Sequence, residues 1–250
     1  MSLPEVVSQE VWLAARQELL VGEKELTRRR DALNAQRRRL PMVEIEKPYL
    51  FTGPDGPATL LDLFEGRRQL ILVHFMFDPA WDEGCSSCSA GAAEISPGLR
   101  AHLAARDTTL AYVSRAPIET LERYRAARGW EFPWYSAQAS DFNYDFHVTL
   151  DESVAPVEYN YRTAAEHEQA GTAYYVSAEQ PIEAPGTSCF LRDGNRVFHT
   201  YSTFARGAEM TGGSYYWLDL TALGRQEDWE EPKGRAAEPH GAQPDFATSS

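Results

Sequence analysis

The sequence predicts an α/β fold in which helices flank a central mixed sheet, with an N-terminal helical arm before it and an acidic, aromatic-rich insertion within it. Two observations support this prediction. Apolar segments typical of buried strands alternate with helical segments between residues 48 and 128, as in parallel βαβ units. Later, two strand-like segments at 187–191 and 196–201 flank Asp193-Gly194-Asn195, which is a hairpin signal.

The composition is that of a globular chain. Of its 250 residues, 43% are hydrophobic and 24% are charged, so a sizeable core can form. The formal net charge of −13 argues against a nucleic-acid partner, because phosphate binding needs a basic surface. No apolar run is long enough to span a bilayer, and the N-terminus lacks the apolar region of a secretory signal. We therefore expect a cytoplasmic protein with reduced thiols and no membrane partner.

Residues 1–41 predict one long helix, the N-terminal arm. Ser8 is a suitable N-cap and Pro41 stops the helix. Five apolar residues recur at intervals of seven: Trp12, Leu19, Leu26, Leu33 and Leu40. One apolar residue per heptad is a narrow stripe, which favours a helix lying along its own domain. A homodimer formed through this helix is the alternative.

The predicted domain covers residues 42–224, and its pattern is justified element by element. The segment at 69–77 is apolar on both faces, as a central strand should be. In chain order the pattern predicts a strand at 48–52, a turn at 53–57, a helical turn at 59–64, a strand at 69–77, a helix from 85 to 106 kinked at Pro97, a strand at 108–114, a helix at 117–128, the hairpin, and a closing helix or strand at 217–223.

Residues 141–184 interrupt this alternation. They contain nine acidic residues, one basic residue and seven aromatic rings. An insertion of this kind in an α/β frame is more often functional or partner-facing than filler. The polar, proline-containing residues 225–250 predict a disordered tail.

The strongest chemical signal is Cys85-Ser86-Ser87-Cys88, which follows a predicted strand and opens a predicted helix. Helix N-termini stabilise thiolates, and cysteines three apart can close a small disulfide. Cys85 would attack a substrate disulfide and Cys88 would resolve the mixed disulfide. Asp82 and Glu83 oppose this, because nearby negative charge disfavours thiol ionisation. The motif favours dithiol–disulfide exchange on a disulfide-containing protein or a small thiol substrate, without a cofactor.

Two other functions stay open. Cys85, Cys88 and His147 could bind copper or zinc, since thiolates favour both metals. A structural zinc site, however, usually needs a second Cys or His pair, which the sequence lacks. The chain could also be a redox-silent binding or scaffold module, because a fold does not fix a function. Cys189, in a strand pattern, is expected to be a buried apolar residue.

From about residue 48 to 205 the chain resembles the thioredoxin superfamily, in particular its thiol-specific-antioxidant (alkyl hydroperoxide reductase-like) branch. The segments TLLDLFEG, LILVHFMF and APGTSCFLRDGNRVF carry the resemblance. It implies a thioredoxin-like fold, with Pro185 as the cis-proline that faces the thiols. It also places His74 where the superfamily has a buried acid that assists proton transfer from the inner cysteine. The peroxidase loop of this branch is not matched, because Asp82 stands where its hydroxyl residue would precede the first cysteine.

A longer resemblance covers nearly the whole chain. The segments VVSQEVWLAARQELLVGEKELTRRRD, HFMFDPAWDEGCSSCS, SDFNYDF and YSTFARG are similar to a bacterial thioredoxin-like family known only as a domain of unknown function. That family usually has proline after the first cysteine and aromatic residues soon after the second. Here Ser86 and the small residues 90–93 take those places, which implies a more mobile loop and an emptier pocket.

Four further side chains are candidates for substrate binding beside the thiols. Arg115 and Arg206 could hold an anionic substrate by paired hydrogen bonds, and Trp81 and Trp134 could form an apolar wall. The competing interpretation is that the arginines pair with the chain's own carboxylates and the rings fill its core.

Overall fold

The computed structural model describes residues 3–213, 216, 218–225 and 227–234. The chain divides into two compact units, one containing Met1–Pro41 and Tyr215–Gly241 and the other Met42–Ser214. Residue 217 of the predicted closing segment, and residues 226 and 235–250 of the predicted tail, lie outside the described residues. Among the helices that are described, none is long and apolar enough to cross a membrane.

The first unit is built on helix α1, Gln9–Arg37. The Ser8 hydroxyl caps it by accepting a hydrogen bond from the Val11 N–H group at 3.3 Å. The N-terminal helical arm predicted from the sequence is thus confirmed. None of the 29 residues of α1 is buried, and the apolar residues of the stripe are exposed.

The second unit contains the sheet and five helices. Its strands are β1 (Val43–Glu44), β2 (Leu50–Gly53), β3 (Gly56–Thr59), β4 (Gln69–His74), β5 (Thr108–Ser114), β6 (Trp134–Ser136), β7 (Thr149–Leu150), β8 (Glu158–Tyr159), β9 (Arg162–Thr163), β10 (Ile182–Glu183), β11 (Gly186–Asp193) and β12 (Arg196–Phe204). Its helices are α2 (Ser86–Ala93), α3 (Pro97–Ala104), α4 (Ile118–Ala127), α5 (Phe142–Asp145) and α6 (Ala164–Gln169). Short 3₁₀ segments occupy Asp62–Phe64, Ala173–Tyr175 and Ala205–Thr211.

Eight strands form one mixed sheet in the order β1-β12-β11-β4-β5-β6-β2-β3. Strands β4, β5 and β6 are parallel, while β11 pairs with β4 in antiparallel fashion and continues into β12 as the predicted hairpin. Strand β4 therefore lies between its parallel neighbour β5 and the antiparallel hairpin of β11 and β12. This is the arrangement of a thioredoxin-like fold. The predicted fold class is therefore confirmed.

Pro97 does not kink a single helix, as the sequence suggested, but begins α3. Ser96 caps this helix through its hydroxyl, which accepts from the Leu99 N–H group at 3.1 Å. Proline fits the first turn of a helix because the N–H group it lacks would have no partner there. The Cys-x-x-Cys segment is therefore followed by the short helix α2 alone.

Side chains alternate across a strand, and the sheet consequently separates two packed clusters. Leu70 and Leu72 of β4 belong to the larger cluster, whereas Val73 packs against a second one, which we call the aromatic cluster. The buried members of the aromatic cluster are Phe75, Phe77, Ala92, Tyr112, Ala116, Leu121, Tyr124, Phe132 and Trp134. Cys88 packs against this aromatic cluster.

The acidic insertion contributes to the larger cluster. Its buried residues there are Phe142, Phe146, Val148, Leu150, Val157, Tyr159 and Ala184. The Tyr159 hydroxyl donates to the Pro185 carbonyl at 2.9 Å and accepts from the Ala205 N–H group at 3.0 Å. The aromatic rings of the insertion therefore fill the core. The Tyr159 hydrogen bond to Pro185 also connects the insertion to the start of β11.

Candidate thiol site

Cys85 lies at the junction between the loop after β4 and the helix α2, where it is the N-cap residue. Its N–H group donates to the Met76 carbonyl at 3.0 Å, and its own carbonyl accepts from the Ser89 N–H group and hydroxyl, both at 2.9 Å. The Ser89 hydroxyl also meets the Tyr124 hydroxyl at 2.9 Å. The motif is thus fixed to the strand end, to α2 and to α4, at the predicted strand-to-helix junction.

Both cysteines of the motif are partly buried free thiols, and their pKa values are shifted in opposite directions. The Cys88 S–H group donates to the Cys85 sulfur, which lowers the pKa of Cys85 to about 6 despite its burial. The N–H groups of Cys88 and Ser87 also lower the pKa of Cys85. The Cys85 side chain does not, however, form a regular N-cap hydrogen bond. The same S–H bond, together with burial, holds the pKa of Cys88 well above its usual value. Ionisation of Cys85 is therefore favoured over ionisation of Cys88.

The two acids beside the motif, which are expected to make the Cys85 thiol less acidic than in the strongest thiol oxidants, are both exposed. Glu83 is exposed and pairs with the Arg128 guanidinium at 3.1 Å. That guanidinium lies over the Tyr124 ring, 3.4 Å from its centre. Asp82 is also exposed, and neither acid contributes to the pKa shift of Cys85. Solvent and Arg128 screen both charges.

Cys189 is separate from the motif. It lies in β11 and is partly buried, and burial raises the pKa of its thiol to about 11. It therefore stays protonated at neutral pH and does not compete with Cys85 as a nucleophile.

Gly84 brings the loop against the aromatic cluster where a side chain has no room. A Cβ atom at this position would lie 2.6 Å from Phe75 Cε1 and 3.1 Å from Phe77 Cδ1. We expect Gly84→Ala to destabilise the fold by about 1–3 kcal/mol and to slow alkylation of Cys85, because the packed rings force the loop to move. Gly91→Ala is the control: nothing lies within 4 Å of a Cβ atom there, and alanine in α2 should stabilise by up to about 1 kcal/mol. Equal melting temperatures and alkylation rates for the two variants would contradict the prediction.

His74 does not face the thiols as the superposition predicted. It follows Leu70 and Leu72 on the side of β4 that packs into the larger cluster, and its ring stacks on Phe142 and Phe146. Its Nε2 atom hydrogen-bonds the Ser188 hydroxyl at 2.8 Å. Since Cys88 packs on the opposite side of the sheet, His74 is in no position to take its proton. Burial lowers the pKa of His74 to about 3, so the ring is a neutral core residue.

Pro185 stands directly before β11, as the resemblance implied, but its peptide bond is not cis. The cis bonds of the described residues precede Pro181 and Pro232. Immediately after Pro185, Gly186 pairs with His74 and with Phe204, so the chain enters the strand already extended. The expected cis-proline is therefore absent at this position.

Arg115 is paired with the chain's own carboxylates. It follows β5 and forms an ion pair with Glu183 at 2.8 Å and a looser one with Asp78 at 3.9 Å. The Thr149 hydroxyl donates to the same Glu183 carboxylate, and the Tyr144 ring covers the guanidinium. Despite these partners, burial raises the pKa of Glu183 to about 7. No sequence pattern singled out Glu183, which is one of nine acids in the insertion and lies in the two-residue strand β10.

The other predicted binding residues do not form one site with Arg115. Trp134 is fully buried, and its indole N–H group donates to the Ser114 hydroxyl at 3.0 Å, so it is a core residue. Arg206 is exposed and pairs with Glu209 at 3.0 Å. Trp81 is 40% exposed and lies in the loop that leads to Cys85, which leaves it accessible to a substrate.

The predicted metal set is not assembled. In the described part of the chain, no three His, Cys, Asp or Glu side chains are grouped so that they could hold a metal ion. His147 is exposed, in a backbone conformation with φ of 54° at the end of α5. Cys85, Cys88 and His147 are therefore not brought together.

The topology and the paired thiols define a thioredoxin-like protein. The chain belongs to the family described as "Bacterial protein of unknown function (DUF899)", whose model matches residues 1–241. No curated protein matches the sequence.

Several solved structures are similar to this one. A mutant of peroxiredoxin Q from Xanthomonas campestris is 14% identical, covers 65% of this chain and 86% of its own, and has a TM-score of 0.43. A PrxQ mutant from Xylella fastidiosa is 13% identical, with coverage of 69% and 91% and a TM-score of 0.41. A mutant of peroxiredoxin 6 from Arenicola marina is 12% identical, with coverage of 71% and 69% and a TM-score of 0.42.

Proposed function

We propose that this protein is a dithiol–disulfide oxidoreductase in which Cys85 is the nucleophile and Cys88 the resolving thiol. The observation that carries the proposal is the position of Cys85 as N-cap residue of α2, with Cys88 in the first turn against the aromatic cluster, where the pKa of Cys85 is lowered and that of Cys88 is raised. A thiolate at neutral pH beside a protonated partner is the state from which disulfide exchange begins.

The exchange balances in two steps. The Cys85 thiolate attacks one sulfur of a substrate disulfide, forming a mixed disulfide and releasing the other substrate sulfur as a thiolate. Cys88 then loses its proton and attacks the Cys85 sulfur, which closes the Cys85–Cys88 disulfide and releases the second substrate thiolate. The substrate gains two electrons and the protein loses two.

The second step becomes easier once the first has occurred. The negative charge of Cys85 helps to keep the pKa of Cys88 high, and so does the hydrogen bond that Cys88 donates to that charge. Both effects vanish when the Cys85 sulfur is bonded to substrate. The Cys88 thiol is therefore most acidic in the mixed disulfide, when it must act as the nucleophile.

The surroundings of Cys85 suit a disulfide carried by a protein or a small thiol. Cys85 is a partly exposed residue, and the exposed Trp81 ring lies in the preceding loop. Asp82 lies exposed beside the motif, in a chain of net charge −13. We therefore expect neutral or basic substrates to react faster than acidic ones, with a difference that shrinks as salt is added.

Trapping tests the proposal directly. With Cys189→Ser as background, Cys88→Ser should accumulate a mixed disulfide with a model disulfide such as that of oxidised glutathione, because the resolving thiol is missing. Cys85→Ser should trap nothing. Mass spectrometry of the intact chain measures the adduct, and titration against dithiothreitol measures the Cys85–Cys88 potential. The absence of both an adduct and an internal disulfide would leave the redox-silent binding module as the better explanation.

A matched pair of variants tests the origin of the low pKa. Cys88→Ser keeps a hydroxyl that can donate to Cys85, whereas Cys88→Ala removes the donor. We expect the pH midpoint of iodoacetamide alkylation of Cys85 to stay near 6 in the serine variant and to rise by about one unit or more in the alanine variant. Identical midpoints would show that the S–H bond is not the main cause.

A further inference from the structure

The exposed stripe of α1 is the largest apolar feature that the proposed thiol chemistry does not use. The exposed fractions of its five members lie between 43% and 67%: Trp12 53%, Leu19 61%, Leu26 67%, Leu33 43% and Leu40 51%. The first four members lie in α1, a helix of 29 residues that is about 43 Å long, and Leu40 lies three residues beyond its end. Exposed apolar surface of this extent marks an interaction site.

In the N-terminal half of α1, further apolar and small residues beside the heptad positions widen the stripe. Leu13 and Leu20, which are 46% and 37% exposed, flank it on one side. On the other side, three residues after Trp12 and Leu19, stand the small residues at positions 15 and 22. A Cβ atom at Gly22 would meet nothing within 4 Å, so this flank is open to the close approach of another helix.

The charge of α1 is divided at Leu26. Residues 9–25 carry four acids and two bases, a balance of −2, whereas residues 26–40 carry six bases and one acid, a balance of +5. Some of these charges already pair along the helix, as Arg16 does with Glu23 at 2.7 Å. The net separation nevertheless leaves one half of the stripe with acidic borders and the other half with basic borders.

We propose that α1 is a homodimerisation helix that pairs in antiparallel orientation with α1 of a second copy of this chain. A twofold axis at Leu26 places Leu26 against itself and Leu19 against Leu33, so the apolar residues in the central part of α1 meet apolar residues. The same axis sets the acidic half of each helix against the basic half of the other. A parallel pair would stack the two basic halves on each other, which opposite-charge complementarity disfavours. The surface is thus complementary to itself, as a twofold interface requires.

Sedimentation velocity of the full chain at micromolar concentration tests the proposal. The wild type should be a dimer, and Leu26→Asp should raise its dissociation constant about a hundredfold or more, because two carboxylates then face each other in an apolar contact. Val21→Asp is the matched control: Val21 is 68% exposed, like Leu26, but lies on the other side of α1. It should leave the dimer intact. A monomeric wild type, or a dimer that survives Leu26→Asp, overturns the proposal.

Cross-linking decides the orientation without depending on that variant. In a background that carries Cys85→Ser, Cys88→Ser and Cys189→Ser, chains with Leu19→Cys should not cross-link among themselves on oxidation. Mixed with chains that carry Leu33→Cys, they should form a disulfide-linked heterodimer. Self-linking through position 19 would indicate a parallel pair and would overturn the antiparallel arrangement.

Discussion

Acidification is expected to destabilise this fold through His74. Burial lowers the pKa of His74 from 6.5 to about 3, and nearby His199 adds to the effect. Between these two values the unfolded chain binds a proton that the folded chain excludes, so the free energy of unfolding falls as the pH falls. From pH 6.5 to pH 5 the expected loss is about 2 kcal/mol, at about 1.4 kcal/mol per unit of pH. Glu183 titrates in the opposite direction over the same range, so urea denaturation in a Glu183→Gln background measures it.

His74→Leu isolates this contribution. Leucine is close to histidine in volume and does not titrate, and Ser188 keeps its hydrogen bond to the Ser202 hydroxyl at 2.8 Å. The substitution also removes the Nδ1 atom, which is buried without a hydrogen-bond partner among the described residues. We expect the pH slope of stability to flatten by about 2 kcal/mol over this range. His102→Leu, at an exposed position of α3, controls for the loss of a histidine. An unchanged slope in His74→Leu would contradict the prediction.

The sequence predicted what depends on local pattern. Strand β5, Thr108–Ser114, was predicted at its observed bounds because its apolar run at 110–113 follows two β-branched threonines. The position of Cys85 was predicted because a strand, a loop and a helix start are each marked within a few residues. The cap at Ser8 follows the same rule. In each case the side chains that decide the structure are neighbours in the chain.

The side of the sheet that His74 faces was not predictable by superposition. Side chains alternate along a strand, so an error of one residue moves a side chain to the opposite face. His74 falls among Leu70 and Leu72, and the functional role inferred for it failed for that reason. Its actual partners, Phe142 and Ser188, come from segments that lie far away in the sequence.

The pairing of Arg115 was equally hidden, because 68 residues separate it from Glu183. The insertion returns to the sheet at the start of β11, beside the end of β4, and this return brings Arg115 and Glu183 together. No local sequence pattern encodes it. The competing interpretation made from composition, that arginines pair with this acidic chain's own carboxylates, describes Arg115 correctly. Composition thus predicted the kind of partner, and the structure was needed to identify it.

Glu183 is expected to act on stability in the direction opposite to His74. Burial raises its pKa from 4.5 to about 7, although Arg115 and Thr149 oppose the shift. Between these values the folded chain keeps a proton that the unfolded chain has lost, so the free energy of unfolding falls as the pH rises. The full difference is roughly 3 kcal/mol, developed between pH 4.5 and pH 7. In the wild type this slope offsets that of His74 almost completely between pH 5 and pH 6.5, and the His74 comparison is therefore made in a Glu183→Gln background.

Glu183→Gln should behave as a permanently protonated Glu183. Its amide oxygen can still accept from the Arg115 guanidinium and from the Thr149 hydroxyl, the two groups that hold the wild-type carboxyl. At pH 8, where the wild-type carboxyl is charged, the variant should be more stable than the wild type by up to roughly 3 kcal/mol, and at pH 4.5 the two should be equal. Glu179→Gln, at an exposed position of the same insertion, is the control. A variant that is less stable than the wild type at pH 8 would show that the ion pair with Arg115 outweighs the burial of the charge.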